Sequence, residues 1–444
     1  MIKPRLGFFD LSMLIISMVI GIGIFRTPQI VAQKAGTVEL FFAAWIIGAV
    51  ISVFGALTFA EIGARYPVAG GFYKVFSYCY HPAFAFMLNW SLVIINASSA
   101  ASVALIGAEY LAPLIYPAPV SELHIQIIVV GIVLILYGIN MLGIRSGATT
   151  QNILSGLKIL LILFFSSAIF FAVQATPIES NLNSGLISNS GSNLLLAFGA
   201  GLISVFFTYG GYQNTINFGE DIKEPQRNIP KAIFFSMAII LVLYMAINIS
   251  YVMILGFDNI KSSPLVAVAL ANQMLGKSGA AFTSIAIFIS VLGFLNSALM
   301  YNPRIWYAMA DDKVLPSIFK QVNEKKQVQE FSLTVFTILI LIMFISLGTF
   351  EKLLSYVMFT DTISLATAAF CVFILRRKQI LVYKGFKVVN SIFPVVFIIT
   401  ICFVTLSVII DDPLRSLYGL LVFAFGFLLF HFLKLFLKKE DSSV

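Results

Sequence analysis

Apolar residues fall into twelve long runs, near 8–33, 38–62, 82–112, 124–143, 149–174, 193–218, 231–255, 279–308, 331–349, 353–375, 388–410 and 414–436, separated by charged or turn-rich breaks. A helix of about 20 residues crosses the hydrocarbon core of a bilayer, and these runs approach or exceed that length. Hydrocarbon offers no water to backbone N–H and C=O groups, so such runs have to be helices. The pattern predicts an all-α polytopic membrane protein with twelve transmembrane helices. The first run follows Lys3 and Arg5, but no small-residue cleavage site closes it and glycines interrupt it, so it reads as a crossing and not as a removed signal.

The breaks also carry an orientation. Counted from an inside N-terminus, 21 of the 28 Lys and Arg residues fall on one side, and Lys34, Lys261, Lys277, Lys352 and Arg415 on the other. This bias predicts cytoplasmic termini in a cytoplasmic (inner) membrane. Arg26 and Lys158 lie within runs.

Composition agrees with the pattern. The chain is 59% hydrophobic and 11% charged, with a mean hydropathy of +0.98, whereas soluble domains run near 25% charged. The net charge of +8 is scattered among short loops, with no soluble domain to present a nucleic-acid-binding face. Cys79, Cys371 and Cys402 imply no disulfide framework. His81, His124 and His431 make no ligand spacing, and no phosphate-cradling loop is present, so neither a metal, a cofactor, an enzyme nor nucleotide-driven pumping is expected.

Two runs are interrupted at mid-span. The first contains Gly21-Ile22-Gly23-Ile24-Phe25, and the sixth contains Phe207-Thr208-Tyr209-Gly210-Gly211-Tyr212. Glycine costs about 1 kcal/mol relative to alanine in a helix interior. Close packing through small residues is the plain alternative for either motif alone. Matching breaks in runs one and six, at corresponding places in two five-helix halves, point instead to a transporter site at the midplane. An unwound turn exposes N–H groups at the start of its outer half-helix, suited to a carboxylate, and C=O groups at the end of its inner half-helix, suited to an ammonium. A zwitterionic α-amino acid presents both.

With these motifs the chain resembles the amino acid-polyamine-organocation superfamily, in particular the L-type amino acid transporter branch and its bacterial relatives. The most specific stretch runs from Phe207 through Glu220-Asp221-Ile222-Lys223-Glu224-Pro225-Gln226-Arg227-Asn228-Ile229-Pro230; Glu61-Ile62-Gly63, Tyr66-Pro67 and Gly70-Gly71 add weaker support. The resemblance implies a five-helix inverted-repeat core over residues 1–375, with repeats near 8–174 and 193–375. Two C-terminal helices and a basic tail would fill 376–444. It also implies a substrate carboxylate held by backbone N–H groups at Ile22 and Gly23, and an amine meeting the carbonyls of Val19, Phe207 and Gly210. Phe207 would be the outer gate and Asn296 a pocket residue, although an Asn in an apolar run is as often a helix–helix hydrogen bond.

Ile22, Tyr212, Arg26 and Asp361 depart from the pattern of the branch. Arg26 reads either as a residue snorkelling to the outer vestibule or as a cation favouring substrates with an extra negative charge.

Ionisable residues within runs are functional candidates by default. The resemblance implies that Lys158, in run five, stands where sodium-coupled relatives place an ion and bonds to the backbone of the first helix. Sodium-independent exchange of neutral amino acids is the resulting expectation, with a lysine snorkelling to the cytoplasmic surface as the alternative. Asp361 reads as a proton site, as a partner of Arg26 or Lys158, or as a structural carboxylate, and a proton-coupled symporter stays open on its account. Glu61 and Glu220 read as inner-gate ion pairs with the loops of Arg65 and Arg227, or as ordinary interfacial salt bridges. A channel is the more distant alternative. In the animal members of the branch a cysteine in the loop after span three ties on a glycoprotein; the stretch from Pro113 to His124 has none, so no disulfide-linked partner is expected.

Overall fold

The computed structural model describes residues 3–117, 119–168, 170, 199, 201–202, 204–206, 208–263, 265–347, 350–378, 385–411 and 413–441. The labelled α-helices are α1 (Phe8–Val19), α2 (Gly23–Ala35), α3 (Val38–Arg65), α4 (Gly71–Cys79), α5 (Pro82–Ile115), α6 (Glu122–Met141), α7 (Ile144–Ser167), α8 (Pro225–Leu255), α9 (Phe257–Ser262), α10 (Val266–Leu275), α11 (Gly279–Asp311), α12 (Glu330–Leu347), α13 (Phe350–Lys378), α14 (Ile392–Asp411) and α15 (Pro413–Asp441). Among the described residues the only β-pairing is two isolated bridges, Leu6 with Ile222 and Ala69 with Phe218.

By length and apolarity α3, α5, α6, α7, α8 and α11 can each cross a membrane, and α1 with α2 forms one further span bent by 43°. Their ends follow local chemistry. The Thr37 side chain accepts the Leu40 N–H at 3.3 Å to open α3, and the His81 ring accepts the Ala83 N–H at 3.1 Å to open α5. Helix α8 starts six residues before the apolar run it carries, because Pro225 suits a first helical turn. Three further helices lie where only connections were expected. Gly71–Cys79 forms α4, and α9 and α10 fill the segment after α8.

The helices pack around a continuous apolar core, with α5 against α11, α3 against α8, and α1 against α7, α8 and α11. Buried side-chain bonds fix some of these pairs. Asn296 of α11 donates to the Gln151 side chain at 2.7 Å and the Gly147 carbonyl at 3.0 Å, while its own oxygen accepts from Asn140 at 2.8 Å. These bonds join α6, α7 and α11.

On the face that holds the N-terminus, polar contacts lock several elements together. The Arg5 and Leu6 N–H groups both donate to the Asp221 carbonyl at 2.8 Å. The Asp221 side chain is fully buried and holds Arg304 of α11 through two bonds, at 2.5 and 3.1 Å. Glu61 accepts from Arg65, Arg376 and the Val388 N–H at 2.6–2.8 Å. Glu220 has no such partner in Arg227, which pairs with Glu224 at 3.6 Å on the surface. Burial works against the Lys74 ammonium, but hydrogen bonds and charge from Asp311 and Asp312 outweigh it and raise its pKa.

Breaking a buried ion pair from one side leaves an uncompensated charge and costs about 3–5 kcal/mol. Arg304→Met is therefore expected to lower the thermal unfolding midpoint of the detergent-solubilised protein sharply. The double change Arg304→Met with Asp221→Ala should restore most of it, and an equal loss in both would show that the pair itself carries the stability.

Candidate functional site

The first span comes apart where its sequence weakens it. Helix α1 ends at Val19, Ile20 turns to φ −74°, ψ 90°, and α2 starts at Gly23. Among the described residues no acceptor meets the N–H groups of Gly21, Ile22, Gly23 or Ile24; the Phe25 N–H returns to the Ile22 carbonyl at 3.0 Å. These donors sit at the positive end of the α2 dipole. Those of Ile22 and Gly23 are the backbone groups expected to hold a carboxylate.

The opposite end of the break is capped by side chains. Lys158 of α7 is 1% exposed, and its ammonium donates to the carbonyls of Ser17 at 2.9 Å and Ile20 at 2.7 Å. A cation at a helix C-terminus answers both the orphan carbonyls and the negative end of the dipole. The ammonium stays in the interior and does not run to the surface. Gly293 of α11 makes room for it, since a Cβ there would lie 2.8 Å from the nitrogen. The Tyr244 hydroxyl, from α8, meets the Val19 carbonyl at 3.0 Å and the Thr208 carbonyl at 3.3 Å. Val19, expected to receive an amine, thus already accepts one bond, and a carbonyl oxygen has a second lone pair.

The sixth span breaks against the first. Its described residues are helical as far as Thr208, and after Gly211 the chain continues as a 3₁₀ helix over Tyr212–Asn217. Gly211 has φ +124°, a backbone state that a side chain would strain, and a Cβ there would sit 2.6 Å from the Met18 carbonyl oxygen. Gly23 faces Thr208 in the same way, with 3.1 Å to its methyl group. The Thr208 hydroxyl lies 2.9 Å from those of Thr27 and 2.9 Å from the Ser204 carbonyl. Among the described residues no donor meets the carbonyls of Met18 or Gly210. Trp45 packs edge-on to Tyr209 and Tyr244, sealing the junction with aromatic bulk.

The remaining candidates lie apart from this junction or outside the described residues. Phe207 is outside them. Asn296 holds helices together, as given above. Arg26 is exposed on α2, with Tyr110 of α5 in its field. Asp361 of α13 forms no ion pair with Arg26 or Lys158 and lines a small polar cavity with Asn96, Gln213, Asn214 and Ser364. Sequence reasoning missed Tyr244 and Gly293. A hydroxyl-tipped aromatic and a lone glycine, each within a long apolar run, were the only signals.

Comparison with known proteins identifies the family. The chain matches the amino acid permease family over residues 6–430. It is 28% identical over 416 residues to the cystine/glutamate transporter of Homo sapiens, covering 92% of this chain and 81% of that protein. It is 26% identical over 439 residues to the large neutral amino acids transporter small subunit 2 of Mus musculus, covering 96% and 80%. To the Asc-type amino acid transporter 1 of Mus musculus it is 24% identical over 453 aligned positions, covering 100% and 83%. The chain, a multi-pass membrane protein of amino acid transport and not an enzyme, belongs to the amino acid permease family of the amino acid-polyamine-organocation superfamily.

Proposed function

We propose that this protein exchanges neutral L-amino acids across the cytoplasmic membrane by alternating access, without sodium. The reading takes the chain as twelve spans, a core of two inverted five-helix repeats over 8–174 and 193–375 followed by two further helices, with both termini cytoplasmic. The single observation that carries it is the junction of the two broken spans. Free N–H groups at Gly21 to Ile24 and open carbonyls at Met18 and Gly210 face the two ends of one unwound region. These are the complements of a carboxylate and an ammonium separated by one carbon. Ile22 and Gly23 would hold the carboxylate, Val19 and Gly210 with Phe207 would receive the amine, and Phe207 would close the outer side.

Lys158 supports the sodium-free part. Its ammonium already places a fixed positive charge between α7 and the end of α1, and like charge there opposes a metal cation. The names of the relatives bear on the substrate: one transports large neutral amino acids, another cystine and glutamate. One of those names is that of a small subunit. This chain has no cysteine between Pro113 and His124, and we read it as working without a disulfide-linked partner.

Counterflow into liposomes that contain only the purified chain tests the reading. Neutral amino acids preloaded inside should stimulate uptake of labelled leucine or alanine, equally in sodium and in choline buffer. Uptake that vanishes in choline would overturn sodium independence, and ion currents without saturation would mark a channel. Two variants probe the junction itself. Lys158→Ala leaves the Ser17 and Ile20 carbonyls without their donor, and a charged hydrogen bond contributes about 1.5–3 kcal/mol, so counterflow should fall at least about tenfold. Gly211→Ala sets a side chain against Met18 in a backbone state it disfavours, and should abolish counterflow while the protein still reaches the membrane.

A further inference from the structure

Beyond the junction, one cavity holds a carboxyl group that no described side chain answers. Asp361 of α13 lines it with Asn96 of α5, Gln213 and Asn214 of the 3₁₀ segment after the sixth-span break, and Ser364 one turn further along α13. Among the described residues the Asp361 carboxylate meets no hydrogen-bond donor and no basic side chain, and none of the lining residues is basic. The Ser364 hydroxyl is 1% exposed and has no partner either. Asn96 donates its amide N–H to Asn302 at 2.9 Å, which leaves its carbonyl oxygen toward other donors. Carboxylate, amide and hydroxyl oxygens from three elements therefore converge on one space.

A carboxylate at this depth stays ionised only beside a compensating cation. Among the described residues none is placed there, so the carboxyl group either carries a proton or is paired by a cation that enters the cavity. Gln213 ties the space to the junction, because its side-chain oxygen accepts the Gly211 N–H at 2.8 Å. A substrate whose main-chain groups lie at the breaks would direct its side chain along that route.

We infer that this cavity receives the cationic end of a basic side chain, so that lysine-like amino acids enter exchange alongside neutral ones. The inference rests on the reading of the junction as an α-amino-acid site. In it Asp361 carries the counter-charge, and Ser364 and Asn96 accept hydrogen bonds from the ammonium.

The test is competition in the same liposomes. Lysine and ornithine should inhibit leucine counterflow in the wild-type protein and should exchange for preloaded leucine. In Asp361→Asn, the apparent affinity for lysine relative to leucine should fall by about tenfold or more, as expected for a lost charge-assisted hydrogen bond. Asp361→Glu, which keeps the charge, should recover part of the ratio. Leucine counterflow that lysine and ornithine leave untouched would overturn the inference and leave the amino-acid reading standing, even if the variants fail to fold. Equal lysine-to-leucine ratios in the wild type and Asp361→Asn would also overturn it. Leucine accumulation driven by a sodium or proton gradient and lost in Asp361→Asn would assign the cavity to an inorganic cation instead. No counterflow with any amino acid would remove both readings.

Discussion

Hydrocarbon tolerates no unpaired backbone, and breaking a helix inside it creates unpaired backbone on both sides of the break. The first and sixth spans are nevertheless interrupted, and much of the interior exists to answer that. Lys158 takes the Ser17 and Ile20 carbonyls, and Tyr244 takes those of Val19 and Thr208. Three helices are fixed to the end of α1 by these contacts and by the space at Gly293. What remains unanswered is asymmetric. The carbonyl end of the first break is largely capped from within, whereas the N–H end at Gly21 to Ile24 is left to something else.

That asymmetry has a chemical sense. A lysine capping a helix C-terminus is held by charge as well as by hydrogen bonds, so it fixes α1 to α7 more firmly than neutral polar groups would. The open donors, by contrast, lie at the start of a half-helix, where an anion gains from several N–H groups and the dipole together. In the reading proposed above, the free donor end receives a ligand's carboxylate, while the carbonyls of Met18 and Gly210 stay open to its amine. Close contact between Gly211 and Met18 sets the second break beside the first, and in the proposed reading one ligand spans both.

How much of this was legible in the sequence depended on whether a feature broke a pattern. Paired glycines within apolar runs and a lysine well inside a membrane helix violate the composition around them, and they stood out for that reason. Tyr244 and Gly293 do not: an aromatic and a small residue are ordinary in such runs, and only the three-dimensional neighbours reveal one as a bridge and the other as a clearance. Helix α4 went unseen because Phe72-Tyr73-Lys74-Val75-Phe76-Ser77-Tyr78-Cys79 is too short and too aromatic to show a helical period against the loops beside it. Asn296 illustrates a different limit. Its residue type fitted both a pocket and a helix–helix bond, and its neighbours Asn140 and Gln151 are about 150 positions away along the chain.

The ties on the N-terminal face bear on how the site can open. Arg304 and Asp221 are buried together, Glu61 gathers two arginines and a backbone N–H, and the N-terminal segment closes over Asp221 from above. Separating such groups without replacement would cost several kcal/mol for each orphaned charge, more than a substrate's differential binding readily supplies. Water entering the gap changes that. Once the Asp221 and Arg304 groups are solvated, the desolvation that made their pairing necessary is relieved. The same contacts that hold this face shut are thus compatible with its opening, provided that opening and hydration occur together. In the alternating-access reading proposed above, movement of α11 and the segment after the sixth-span break is coupled to the entry of solvent.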